Sequence, residues 1–385
     1  MVSFGIRFYK GMGGVDMTTQ DLSDAELEIY ARQIVLDEIG YDGQVKLRNA
    51  KACIIGMGGL GSMIAPKLVG MGVGTLRIVD RDIVSRSDLH RQHLYDADSL
   101  GRPKVEVAFQ KLSRLNPDVT VDPFPESLNS TNAQDLIRGM DIVLDGLDRP
   151  EPRYLINRTC LNLNIPYVFG AAIQTLGNVS TIVPGRTLCL ECFMGGLKED
   201  DLPKCGVVGV HPSVLGIVTA VQVFEAIRLL TGQEPTLLNK LFYIDLGDMK
   251  FHTLKLSVRE DCPVCGAQPN RVPAPVEDKL FEETCARDGR RNFVISPRKR
   301  IDIDLEKVPL ILEKKRFPIQ SSGLLGITFE QPGDITTSLL KSGVMIVQTP
   351  PSLTKDMRED VMKTYEVLLV DGLGLSRDIL PEVEV

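Results

Sequence analysis

A glycine-rich turn between two short apolar strands constrains this chain more than any other feature. Residues 51–55 (KACII) read as a strand, 56–61 (GMGGLG) as a tight turn, 62–71 as a helix and 75–79 as the next strand. That order makes a βαβ unit and calls for a parallel sheet. Pro66 is expected to kink the helix or to sit in its first turn. Gly56, Gly58 and Gly61 have G-x-G-x-x-G spacing. Glycines let the backbone approach a phosphate, and the helix that follows presents free N–H groups to the anion. Asp80 ends the second strand, where an acid can accept hydrogen bonds from ribose hydroxyls. The motif points to a nucleotide without naming it, and a nicotinamide-dependent dehydrogenase fits it equally well.

The α/β pattern continues. Helices are expected at 104–115, 132–139, 153–163 and 212–230, and strands at 119–123, 142–144, 167–172 and 179–183. Strands at 241–245 and 251–258 read as the antiparallel edge of a mixed sheet. Upstream, Leu27, Tyr30, Ile34 and Val35 have helical spacing. Residues 1–22 read as a flexible leader without signal-peptide character, with Met17 an alternative start. The proline-rich stretch at 268–290 reads as a linker to a small α/β domain at 291–385. In that domain strands are expected at 292–295, 326–329, 334–337 and 344–347, and helices at 305–314 and 355–365. No apolar run approaches the ~20 residues of a membrane span, and the stretch 214–224, interrupted by Thr219 and Gln222, reads as a buried helix. The net charge of −7 argues against a nucleic-acid partner. A cytoplasmic location is expected.

The side chains around the turn add chemistry. There is no G-x-x-x-x-G-K-[ST], so a triphosphate needs its countercharge from elsewhere. Arg91 in DLHRQHLY, Lys104 in GRPK and Arg32 in YARQIVL are the candidates, and Asp148 at a strand end is placed to hold magnesium. Cys189-Leu-Glu-Cys192 and Cys262-Pro-Val-Cys265 are two C-x-x-C pairs 69 residues apart. Four thiolates suit a closed tetrahedral zinc site clamping two distant segments, with redox dithiols as the alternative. Cys53 and Cys160 read as core. Cys205 lies in a charged loop before the long helix, where Lys204 and the helix N-terminus favour a thiolate; it is a spare thiol or a nucleophile. No role is apparent for Cys285.

These pieces stand in a recognisable order: YARQIVL, GYDGQVKL, GMGGLGS, GVGTLRIVDRDIV, DLHRQHLY, GRPKVEVA, LNPDVTV, DIVLDGLD, CLEC, KCGVVGVHPSVLGIVTAVQVFEAIRLLTG and DCPVC. Over residues 23–267 the chain resembles the ThiF/MoeB group of adenylating enzymes, related to ubiquitin-activating enzymes. The resemblance implies a Rossmann-like, mostly parallel mixed sheet with helices on both faces, a structural zinc site and a homodimer. It implies ATP-dependent adenylation of the C-terminal Gly-Gly carboxylate of a ubiquitin-like or sulfur-carrier protein. The nucleotide set it implies is Gly56, Gly58, Gly59, Gly61, Asp80, Asp82, Arg91, Gln92, Lys104 and Asp148, with magnesium at Asp148 and Arg32 reaching in from a partner subunit. Cys205 aligns with the cysteine that takes the activated carboxylate as a thioester or serves sulfur transfer. A conjugating enzyme or a sulfur donor is then the next partner. A carrier-binding scaffold is the non-catalytic alternative. Two departures stand out: Asp88 and Arg149 occupy positions where the family usually has Asn.

Overall fold

The computed structural model describes residues 21–197, 208–267, 276, 278–285, 290–353 and 355–382. Most of the expected leader and much of the expected linker lie outside these residues. An eight-stranded sheet forms the first domain, in the order β3-β2-β1-β4-β5-β6-β7-β8. Strands β1 (Lys51–Ile55), β2 (Thr75–Val79), β3 (Thr120–Phe124), β4 (Ile142–Asp145) and β5 (Tyr167–Ile173) are parallel. Strands β6 (Leu176–Ile182), β7 (Lys240–Asp245) and β8 (Lys250–Lys255) complete it antiparallel, as expected of a mixed sheet. Register aligns Ile55 with Val79 and with Asp145. Gly56, Asp80 and Gly146 therefore leave the sheet together, at the point where strand order reverses and α/β folds open a crevice.

Helices sheath both faces. Helix α4 (Gly61–Gly70) follows the glycine turn, and Pro66 sits in its second turn without ending it. Upstream, the expected helix breaks at Tyr30 into α1 (Asp24–Ile29) and α2 (Ala31–Ile34), and α3 (Gly40–Asn49) precedes β1. Tyr30 is buried and accepts a 2.7 Å hydrogen bond from Asn116, whose amide also donates to Val69 at 3.0 Å. These bonds pin α1 and α2 to the C-terminal end of α4. Helices α5 (Lys104–Leu115), α6 (Ala133–Ile137), α7 (Pro150–Leu163) and α8 (Glu191–Met194) follow. Helix α7 starts three residues earlier than expected because Pro150 fits its first turn rather than breaking it.

Helix α9 (Pro212–Thr231) corrects the expectation about apolar runs. Its 20 residues contain an 18-residue window of mean hydropathy 1.7, long and apolar enough to cross a membrane. Thr219 and Gln222 do not interrupt an outer face, because both are fully buried. Half of the helix is buried, with Val214, Val218, Val223 and Ile227 in the same core as Ile54, Leu76 and Leu144.

The C-terminal domain is an antiparallel sheet in the order β11-β12-β13-β14-β10-β9. Strand β9 (Phe281–Cys285) lies inside the expected linker and pairs with β10 (Arg291–Ile295). Strand β11 (Ile319–Ser322) was not anticipated either. Both are polar edge strands, which carry little hydrophobic alternation to read. Strands β12 (Gly326–Gln331), β13 (Ile335–Leu340) and β14 (Met345–Thr349) fall close to expectation. Helices α10 (Val308–Lys315) and α11 (Arg358–Glu366) cover one face, packing Leu312, Val361 and Tyr365 on Phe293, Phe329 and Val347. Each fully buried side chain of this kind contributes roughly 1.5–3 kcal/mol. The other face lays Val294, Leu340, Val344 and Ile346 against Ile83 of the first domain.

Polar bonds fix this docking. Ser321 and Thr328 donate to the Gly101 carbonyl at 2.8 and 2.7 Å. Leu325 N–H donates to Glu106 at 2.8 Å, and Arg300 pairs with Glu126. The C-terminal domain thus covers the connection between β2 and α5, which carries Asp80, Asp82, Asp88, Arg91 and Lys104.

Candidate active site

Backbone geometry explains the glycines. Gly56 has φ +91° and donates to Val79 at 2.8 Å, while Gly146 donates to Ile55 at 2.8 Å. A Cβ on Gly61 would lie 1.9 Å from the Gly56 carbonyl oxygen, and one on Gly146 2.0 Å from the same oxygen. The first residues after β1 and β4 are therefore in contact. Gly58 differs, because a Cβ there meets only the Gln92 amide at 3.9 Å. Its open side leaves room for a ligand. Two buried polar atoms beside it, Ser62 Oγ and Gln92 Oε1, have no hydrogen-bond partner among the described residues. Native interiors rarely leave such atoms unsatisfied. The Ser62 hydroxyl, at a glycine turn and helix N-terminus, can donate to a nucleotide phosphate, whereas Gln92 Oε1 accepts and suits a ligand hydroxyl or N–H.

Asp80 braces the turn. Its carboxylate accepts from Met57 N–H and from Asp82 N–H, both at 2.6 Å. Burial, and then the charge of Asp82, push its pKa up to about 6. Lone pairs remain on both oxygens for ribose hydroxyls.

Lys104 and Arg91 are held close by acids. Lys104 is buried, with Nζ 3.0 Å from Asp82 and 4.0 Å from Asp88. Burial opposes its charge, but Asp82, Asp80 and Asp88 more than offset this and keep the ammonium ionised. The Arg91 guanidinium donates to the Ser87 carbonyl at 2.5 Å and lies 3.4 Å from Asp88. Gln92 donates to Asp88 at 2.8 Å, and Ser85 donates from both N–H and hydroxyl at 2.9 Å. Asp88 is thus a hub, and a neutral Asn there would withdraw the negative charge that meets Arg91 and Lys104.

Asp148 is exposed on the loop between β4 and α7. Beneath it lies a network the sequence did not reveal. Asp145 is fully buried, accepting from Arg153 at 3.0 Å, Tyr167 at 2.6 Å and Leu147 N–H at 2.9 Å. Arg153 also donates to the carbonyls of Leu147 and Gly170. This pair anchors the loop that carries Asp148. Its one signal in sequence is an arginine on a buried helix face, beside Tyr154, Ile156 and Cys160.

The four knuckle cysteines converge, with all sulfurs within 4.8 Å of one another. Cys189 and Cys262 sulfurs are 3.7 Å apart, and those of Cys192 and Cys265 are 3.4 Å apart. Zn–S bonds of ~2.3 Å at tetrahedral angles put sulfurs about 3.8 Å apart, so the donor set and its size fit zinc.

The sequence profile of the ThiF family matches residues 30–264. The chain belongs to the ThiF family. It is 36% identical to the SAMP-activating enzyme E1 of Haloferax volcanii, over 70% of this chain and 98% of that one. It is 35% identical to the adenylyltransferase and sulfurtransferase MOCS3 of Drosophila virilis, over 73% of this chain but only 63% of that one. Among solved structures, E. coli MccB with ATP matches at 27% identity and TM-score 0.53, over 58% of this chain and 68% of that one.

Within this ThiF-family fold, Gly56, Gly58, Gly59, Gly61, Asp80, Asp82, Arg91, Gln92, Lys104 and Asp148 all lie on the turn, the β2–α5 connection and the loop after β4. Arg32 is not with them. It is exposed on α2, whose neighbour Tyr30 is tied to the opposite end of α4, a helix ~15 Å long. Cys53 and Cys160 are core residues, and burial pushes the Cys53 thiol up to about 12. Cys205 lies outside the described residues, as does the side chain of Cys285.

Proposed function

We propose that this chain adenylates the C-terminal carboxylate of a ubiquitin-like or sulfur-carrier protein and then holds it as a thioester on Cys205. One observation carries the reading. A buried Lys104 and a half-buried Arg91 lie beside a glycine cradle with two unsatisfied polar atoms. Adenylation needs a bound triphosphate and fixed cations where charge develops on the phosphates. A carboxylate oxygen of the carrier attacks the α-phosphorus, and the bond to the pyrophosphate oxygen breaks. Lys104 and Arg91 exchange their contacts with Asp82 and Asp88 for phosphate oxygens. Gly58 and Gly59 admit the phosphates, and Asp80 binds the ribose while bracing Met57. Asp148 would hold magnesium, which would neutralise phosphate charge. The Cys205 thiolate then attacks the carbonyl carbon, and AMP departs with the C–O electrons. Four zinc thiolates leave no position for water, so that metal is structural.

The names of the relatives support both branches after adenylation. The name SAMP-activating enzyme E1 fits activation of a carrier protein, and the name adenylyltransferase and sulfurtransferase MOCS3 fits adenylation coupled to sulfur transfer. A cytoplasmic setting suits reduced thiolates in either case. Non-reducing gels separate the branches. Wild type with ATP-magnesium and a Gly-Gly carrier is expected to give a thiol-sensitive enzyme–carrier band that Cys205→Ala loses while keeping carrier-dependent ATP–pyrophosphate exchange. Exchange with no band in either protein would favour the sulfur-transfer branch.

We also place Arg32 in the ATP site of a partner subunit. Arg32→Ala and Lys104→Met chains should each be inactive alone. Mixed after reversible dissociation, they should regain about a quarter of wild-type activity, because a hybrid dimer holds one intact composite site. No regain would place Arg32 outside the site.

A further inference from the structure

One carboxylate of the C-terminal domain grips two arginines of the adenylation domain. Arg81, between Asp80 and Asp82, pairs with both Glu282 oxygens at 2.5 and 2.8 Å. Arg149, which follows Asp148 directly, reaches the same carboxylate at 2.7 Å. Glu282 is only 9% exposed, and its place on β9 is fixed by pairing opposite Val294. Burial alone would raise its pKa, but the bonds and charge of Arg81, and then the charge of Arg149, bring it down to about 2. Two guanidiniums this close repel, and the shared carboxylate is what lets them stay.

Each arginine borders an acid that the ATP site uses. Arg81 and Arg149 both act on Asp82, the partner of Lys104. With Glu282 neutral, Arg81 would compete with Lys104 for Asp82, and Arg149 would turn toward Asp148. We propose that Glu282 is a positioning residue that sequesters Arg81 and Arg149, leaving Asp82 to hold Lys104 and Asp148 open to magnesium. This rests on the adenylation reading and gives the C-terminal domain a part in the ATP site. It also accounts for Arg149 where the family usually has Asn.

Glu282→Gln in the full chain tests it, with ATP binding followed by calorimetry over a magnesium series and unfolding followed in parallel. Half-maximal nucleotide binding should need at least about fivefold more magnesium, and KM for ATP should rise more than kcat falls. Adding Arg149→Asn to Glu282→Gln should restore most of the magnesium response. An unchanged magnesium requirement would overturn the inference. So would a lowered Tm with binding weakened equally at every magnesium concentration and no rescue by Arg149→Asn, since Glu282 would then only dock the domains. A wild-type chain that binds no ATP-magnesium would instead defeat the adenylation reading itself.

Discussion

Lys104→Met is expected to lower carrier-dependent ATP–pyrophosphate exchange by about 10²–10³-fold, the effect of deleting one preorganised donor to a charged transition state. The structure gives a reason to expect the upper end. Lys104 is buried and faces Asp80, Asp82 and Asp88 together. Its removal deletes a cation from the phosphate site and also leaves three carboxylates to repel the triphosphate. KM for ATP should therefore rise while kcat falls. Lys104→Arg should recover little, because a planar guanidinium does not replace a compact ammonium in a closed site. Exchange within about twofold of wild type would remove Lys104 from the chemistry.

Loss of the cysteine clamp is expected to cost more stability than any surface change. The purified chain should carry a single zinc ion that Cys262→Ser releases. Cys262 is fully buried and joins the segment after β8 to the one after β6. The clamp closes a loop of 69 residues between Cys192 and Cys262. In the chain-entropy picture a crosslink across such a loop contributes roughly 4 kcal/mol. In a domain of this size that is a fall in Tm of about 8–16 °C. Metal analysis together with thermal unfolding reads both. A metal-free chain with an unchanged Tm would contradict the assignment.

Much of the site could be read in the sequence because its chemistry is local. The glycine turn, Asp80 at a strand end and the paired cysteines are short-range patterns, and the structure brings their members together. Long-range placements were hidden. Asp145, Arg153 and Tyr167 meet only because β4, α7 and β5 are neighbours, and nothing in their spacing announces a network. Glu282 lies 201 positions from Arg81, on a strand read as linker because FEETC is polar and edge-placed. Asp88 and Arg149 looked like lost amides. Each instead has a charged partner, Arg91 with Lys104 for the first and Glu282 for the second. Helix α9 is buried as its sequence led one to expect, and its polar residues face inward to bond the sheet, as Gln222 does to the Asp145 carbonyl at 2.9 Å.

The most direct measurement of the central claim is intact-mass analysis of a Gly-Gly carrier incubated with this chain and ATP-magnesium, beside the same carrier with an amidated C-terminus. Adenylation predicts a carrier–AMP adduct and pyrophosphate release with the free carboxylate, and neither with the amide. Equal ATP turnover with both carriers would contradict the account, and none with either while the chain still binds the carrier would leave a scaffold.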